Sequence, residues 1–155
     1  MDKKDLLILS NLRMNARASL TDISKSTKVP ISTIFDKLRV HQNEKLIKKH
    51  TALLDFNKLG YPVKAKILIK VNKNKKEEIR NFLLYHPNVN SLFQISNGYN
   101  FLIEVVFKQI SQLEEFSELL EDKYDIRTKQ VYFVIEDIKR EEFMSKPESL
   151  EALGF

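Results

Sequence analysis

Apolar residues recur at two different periods along this chain, and the period changes near Leu59-Gly60-Tyr61-Pro62. Before that point the spacing is helical; after it, apolar residues alternate with polar ones or run in strand-like blocks. Gly60 and Pro62 are breakers that suit a hinge. The pattern therefore predicts one domain over residues 1–60 and a second over 61–155.

In the first domain a helix is predicted over residues 2–13, with Asp2 and Asp5 favourably placed near its N-terminus. A short second helix opens at Leu20 or Thr21, with Ile23 and Thr27 facing inward. Val29-Pro30 breaks it, since proline suits a first turn and not a helix interior. A third helix then runs from about 31 to 43. Within it Ile31, Ile34, Phe35 and Leu38 fall at i, i+3, i+4 and i+7, a single stripe expected to pack on the first two helices. Ser32, Thr33, Asp36, Lys37 and Val40 are then left pointing outward. From Leu46 to Leu54, two short β-prone pieces flank the basic tip Lys48-Lys49, and a hairpin is expected there.

The second domain reads β-α-β-β-α-β. Ala65, Ile67, Ile69 and Val71 alternate with Lys64, Lys66, Leu68 and Lys70 in a first strand. Ile79, Phe82 and Leu83 make the inner stripe of a helix, and Val89, Phe93 and Ile95 lie on a second strand. Asn97-Gly98 is a strong two-residue hairpin signal before a third strand, Tyr99 to Phe107. Ile110, Leu113, Phe116 and Leu120 mark a second helix; Val131, Phe133 and Ile135 mark a last strand. This order is the ferredoxin-like arrangement, so the fold class is α+β. A terminal tail, 138–155, has Pro147 and Gly154 to bracket a short helix. With both helices on one side of the sheet, Leu102, Val106, Tyr132 and Val134 would form an apolar patch on the other. Such a face calls for a partner, and the economical one is a second copy on a two-fold axis.

Charge changes the picture further. Residues 1–60 carry twelve Lys/Arg against six Asp/Glu, whereas 61–155 carry fourteen against fifteen, so the net +5 comes from the front third. That asymmetry suits a polyanion partner. Absence of cysteine excludes disulfides, zinc fingers, iron–sulfur clusters and thiol nucleophiles, and fits a reducing cytoplasm. Leu6-Leu7-Ile8-Leu9 is too short for a signal core or a membrane span. His41, His50 and His86 are scattered, with no metal-ligand spacing, and no catalytic motif or phosphate loop is present; neither enzyme activity nor a cofactor is expected.

A short helix, a tight turn and a third helix with a small, polar outer face is what a major-groove reader needs, although a plain three-helix bundle with a solvated face has the same pattern. The residues expected on double-stranded DNA are Lys28, Ile31, Ser32, Thr33, Asp36, Lys37, Arg39, Lys48 and Lys49. Lys37 would meet phosphate or guanine, Asp36 a cytosine amine, and Lys48 and Lys49 the backbone.

The whole chain resembles the leucine-responsive regulators, the Lrp/AsnC or feast/famine proteins. The resemblance is carried by DKKDLLILSNLRMNAR at 2–17, VPISTIFDKL at 29–38, TALLD at 51–55, LGY at 59–61 and NGYNFLIEV at 97–105. It implies a winged helix-turn-helix in front, binding palindromic sites, and a rear domain that dimerises and assembles further into tetramers or octamers. It also implies a small, amino-acid-like effector on the loop Asn97, Gly98, Tyr99 and Asn100, where this chain has amides in place of the acidic residues common in the family. Two rivals stand beside this reading. A haem-pathway decarboxylase of the same architecture would need basic or His groups around a tetrapyrrole, and the rear domain offers only His86. A ligand-binding or interaction module without DNA binding would suit the sparse basic charge of the third helix, but not Lys48, Lys49 and the basic front domain.

Overall fold

The computed structural model describes residues 1–155. The chain forms two compact units, one of Met1–Leu53 with Ile138–Phe155 and one of Leu54–Asp137. The tail expected with the rear domain therefore packs in the first unit, and the division falls a few residues ahead of Gly60.

In the first unit, α1 spans Lys3–Met14, α2 Leu20–Thr27 and α3 Ile31–Asn43. A capping box starts α1: Asp2 Oδ1 accepts from the Asp5 N–H at 2.8 Å, and Asp5 Oδ2 accepts from the Asp2 N–H at 2.9 Å. Ser19 caps α2 by accepting from the Asp22 N–H. Lys28 closes α2 in the left-handed region, φ 59°, and its N–H reaches the Ser24 carbonyl. Val29 is buried and Pro30 opens α3, so the two helices are joined by a tight turn. The core is Ile8, Ile23, Val29 and Ile34, with Leu12, Ala18, Leu20 and Leu38 around it.

The expected inner stripe of α3 is only half right. Ile34 is fully buried and Leu38 partly so, but Ile31 and Phe35 stand 45% and 54% exposed. His41 takes the inward place, held by a hydrogen bond to Asp5. Residues 46–54 form no strand, so the expected hairpin is absent. A lone two-stranded hairpin is marginal, and here Lys48-Lys49-His50 are exposed while Leu46, Leu53 and Leu54 stay about half exposed, so little burial is gained by pairing. In the tail, Arg13 of α1 donates to the Phe143 and Glu141 carbonyls and to the Glu141 carboxylate at 2.7–3.1 Å, and Leu150 is buried. Short 3-10 turns at Pro147–Ser149 and Glu151–Leu153 end at Gly154.

The second unit contains β1 Val63–Val71, α4 Lys76–Tyr85, β2 Val89–Gln94, β3 Phe101–Phe107, α5 Ile110–Tyr124 and β4 Ile126–Phe133. The sheet order is β2-β3-β1-β4 with every pair antiparallel, the ferredoxin-like topology. Both helices cover the face of Ala65, Ile67, Ile69, Ile103 and Val105, where Ile79, Leu83, Leu113 and Leu120 complete the core. Ile110, expected in the α5 stripe, is exposed. Ile135, expected on the last strand, lies beyond it and is fully exposed.

The other face of the sheet is uncovered by helices. Register pairs Leu68 with Leu102 and Leu102 with Phe93; Lys66 with Tyr132; and Lys64 with Val106. The Val134 N–H continues that row by donating to the Lys64 carbonyl at 2.8 Å. Phe93 was expected beside Val89, but a bulge between Val89 and Ser91 reverses the alternation and places it on this open face.

Candidate nucleic-acid interface and effector site

The first unit carries fourteen Lys/Arg and nine Asp/Glu, and the second twelve of each. All of the net +5 therefore resides on the unit that bears the helix-turn-helix, tail included. On α3 the side chains pointing away from Ile34 and His41 are Ser32, Asp36, Arg39 and Asn43, all exposed. Ile31 and Phe35 flank them on one side; Thr33, half-buried, and exposed Val40 flank them on the other. Lys28, Lys48 and Lys49 are exposed in the segments before and after the helix.

Lys37 does not belong to this outer face. Its Nζ donates to Asp5 Oδ1 at 2.8 Å and Asp2 Oδ2 at 3.0 Å, which turns it toward α1. The two carboxylates raise the Lys37 pKa above its ordinary value, Asp5 contributing most. Burial alone would raise Asp5, but hydrogen bonds from Lys37, the Asp2 N–H and His41 outweigh it and hold the carboxyl well below its usual range. His41 Nε2 lies 2.9 Å from Asp5 Oδ1, and its buried Nδ1 has no partner, which suits a proton on Nε2. The expected groove contact is thus a structural ion pair. The signal that could have exposed it is the pair Asp2 and Asp5 at the start of α1, two carboxylates three residues apart that favour a shared cation.

The sequence-predicted effector loop is an ordered turn. Asn97 and Gly98 both have positive φ, 63° and 88°, as a type I′ turn requires. Asn100 is used by the fold: its N–H donates to the Ile69 carbonyl, its carbonyl accepts from Ile95, and its Oδ1 accepts from the Val71 N–H at 2.8 Å. Asn97 and Gly98 are exposed and Tyr99 half-buried, so these three retain groups to offer a ligand.

A concavity outside every motif of the sequence lies at the opposite end of β3. An open cleft of about 590 Å³ is lined by Tyr61, Phe82, His86, Phe107 and Phe116, with Lys108 and Gln112 at its polar side. Lys108 Nζ stands 5.2 Å from the Tyr61 ring centroid. Burial lowers the His86 pKa. Its lining comes from four separate stretches of chain, which no local spacing could announce. No helix of the chain is long and apolar enough to cross a membrane.

Comparison with known proteins agrees with this architecture. Residues 64–143 match the Lrp/AsnC ligand binding domain. HTH-type transcriptional regulator FL11 of Pyrococcus horikoshii is 32% identical over 120 residues, covering 77% of this chain and 78% of that protein. The glutamate uptake regulatory protein of Zymomonas mobilis is 21% identical over 152 residues, 96% of this chain and 93% of the relative. Among solved structures, a transcriptional regulator from Neisseria meningitidis in complex with L-Met shares the fold at a TM-score of 0.82 and 22% identity, covering 90% of this chain and 93% of that one. E. coli AsnC shares it at 0.78 and 20%, covering 90% and 95%. The chain belongs to the Lrp/AsnC family of transcription regulators.

Proposed function

We propose that this regulator binds palindromic double-stranded DNA as a homodimer, with α3 in the major groove, and that a small amino-acid-like molecule modulates it. One observation carries the proposal: a solvent-facing third helix, set by a tight turn, lies on the unit that holds all of the net positive charge. In this reading Ser32, Thr33, Asp36 and Arg39 meet base edges, with Ile31 beside them, and Lys28, Lys48 and Lys49 meet phosphates; the exposure of all of them but half-buried Thr33 supports it.

The open sheet face supports the two-fold pairing. Leu102, Tyr132 and Val134 share it, joined by Leu68 and Phe93, while Val106 in the same row is already buried within the chain; Tyr132 and Phe93 are both more than half exposed. A two-fold axis there would present two copies of α3 to two half-sites, and further assembly of dimers follows the family's pattern. The effector reading rests on Asn97, Gly98 and Tyr99. It is supported by the L-Met complex of the Neisseria neighbour and by the match of residues 64–143 to the Lrp/AsnC ligand binding domain.

Fluorescence anisotropy with DNA from upstream of the protein's own gene, beside scrambled DNA of equal length at two salt concentrations, tests the reading. Preferential, salt-sensitive binding is expected. Lys48→Ala should weaken both duplexes about equally and reduce the salt slope by roughly one phosphate's worth. Absence of binding to either duplex at low salt would remove the proposal.

A further inference from the structure

The outer face of α3 is short of cations. Lys37, near its middle, is turned toward α1 and bound by Asp2 and Asp5. Among the exposed side chains of Ile31–Asn43, Arg39 is the one cation and Asp36 the one anion. Ile31 and Phe35 lie one turn apart on the same side, both exposed, and neither joins the core of Ile8, Ile23, Val29 and Ile34. They sit in the N-terminal half of the helix, the part that a helix-turn-helix presses against base edges.

The major groove offers one apolar group to such a surface, the 5-methyl of thymine. Guanine presents N7 and O6, two acceptors that call for Arg or Lys, and here only Arg39, farther along the helix, could serve. Ser32 is small enough to let the backbone come close. Asp36 beside Phe35 can accept from an exocyclic amine but repels phosphate and the acceptor edge of guanine.

We infer that Phe35, with Ile31 beside it, reads thymine methyl groups in the major groove, so that half-sites are selected mainly by thymine methyls and not by guanine contacts. The inference rests on the DNA-binding reading above and names what that surface recognises.

The test uses the full-length protein to enrich duplexes from a randomised library. The enriched duplex is then synthesised with deoxyuridine in place of individual thymines, which deletes the methyl and leaves base pairing intact. At one or two positions per half-site the loss should be about fourfold per methyl, and about fifteenfold when the symmetric position is changed too. Phe35→Ala, a change at an exposed position, should bind the thymine and deoxyuridine duplexes alike while keeping the salt dependence of the parent. Enrichment with no deoxyuridine penalty at any position would overturn the inference and leave DNA binding intact. So would a penalty that persists undiminished in Phe35→Ala, or a Phe35→Ala protein whose only change is its oligomeric state by sedimentation. Failure to enrich any duplex at low salt would overturn the DNA-binding reading along with it.

Discussion

Fourteen buried residues, drawn from both helices and the two central strands, make the core of the second unit, whereas four make the core of the first. The first unit supplements its four with polar chemistry. Asp5 joins α1 to α3 through Lys37 and His41, and Arg13 joins α1 to the tail. The second unit is held mostly by non-directional burial, which tolerates small shifts of its parts. The first is held in part by hydrogen-bonded charges, which demand one geometry. In the first unit directional bonds fix which face α3 presents, whereas the second unit keeps a stable frame mainly by burial.

The comparison breaks most easily at the two cores. Ile103→Ala should cost about 2–5 kcal/mol, and hydrogen exchange should show the loss throughout β1, β3 and α5. If the helix-turn-helix lost protection to the same extent, the two units would be one cooperative block. Asp5→Ala should destabilise the first unit by about 3 kcal/mol, since it leaves Lys37 and His41 facing a buried gap. A cost below about 1 kcal/mol by chemical denaturation would show that the four apolar residues suffice without the network.

Acid sharpens the same contrast. The Asp5 carboxyl is lowered from 3.8, so its contribution to stability is fully present above about pH 4 and is lost as pH falls toward the folded value. Exchange protection in residues 3–43 should therefore fall below pH 4 while the sheet persists, and Asp5→Asn should reduce that dependence to the part left by Asp2 and Asp22, whose carboxyls are also lowered by hydrogen bonds. Equal acid loss in both units would contradict it. The smallest effect is expected at the tail. Arg13 and Glu141 are both exposed, so Arg13→Ala should cost no more than about 1 kcal/mol. It should nevertheless make residues 138–155 far more sensitive to proteolysis; unchanged cleavage would mean that Leu150 alone anchors the tail.

Much of the architecture was legible because it is written in local periods. The limits of α3, the acidic start of α1 and the Asn97-Gly98 turn each follow from a few neighbouring residues, as does the alternation of β1. The candidate site was less legible. Helical spacing points Phe35 inward, yet the Asp5 contact gives the inner position to His41. The same spacing points Lys37 outward, yet Asp2 and Asp5 at the start of α1 draw it in.

Outside residues 46–54, the sequence by itself determined the order of elements, the division of charge along the chain and the ferredoxin-like topology, since each depends on short-range spacing and composition. Tertiary structure alone decided which α3 side chains face outward, which side of the sheet Phe93 joins and where the tail returns. Those outcomes depend on partners distant in sequence, a carboxylate from another helix, an extra residue in a paired strand, a carbonyl in the tail. A one-dimensional period can say that a residue belongs to a helix or a strand, but only the neighbour across the fold sets which way it points.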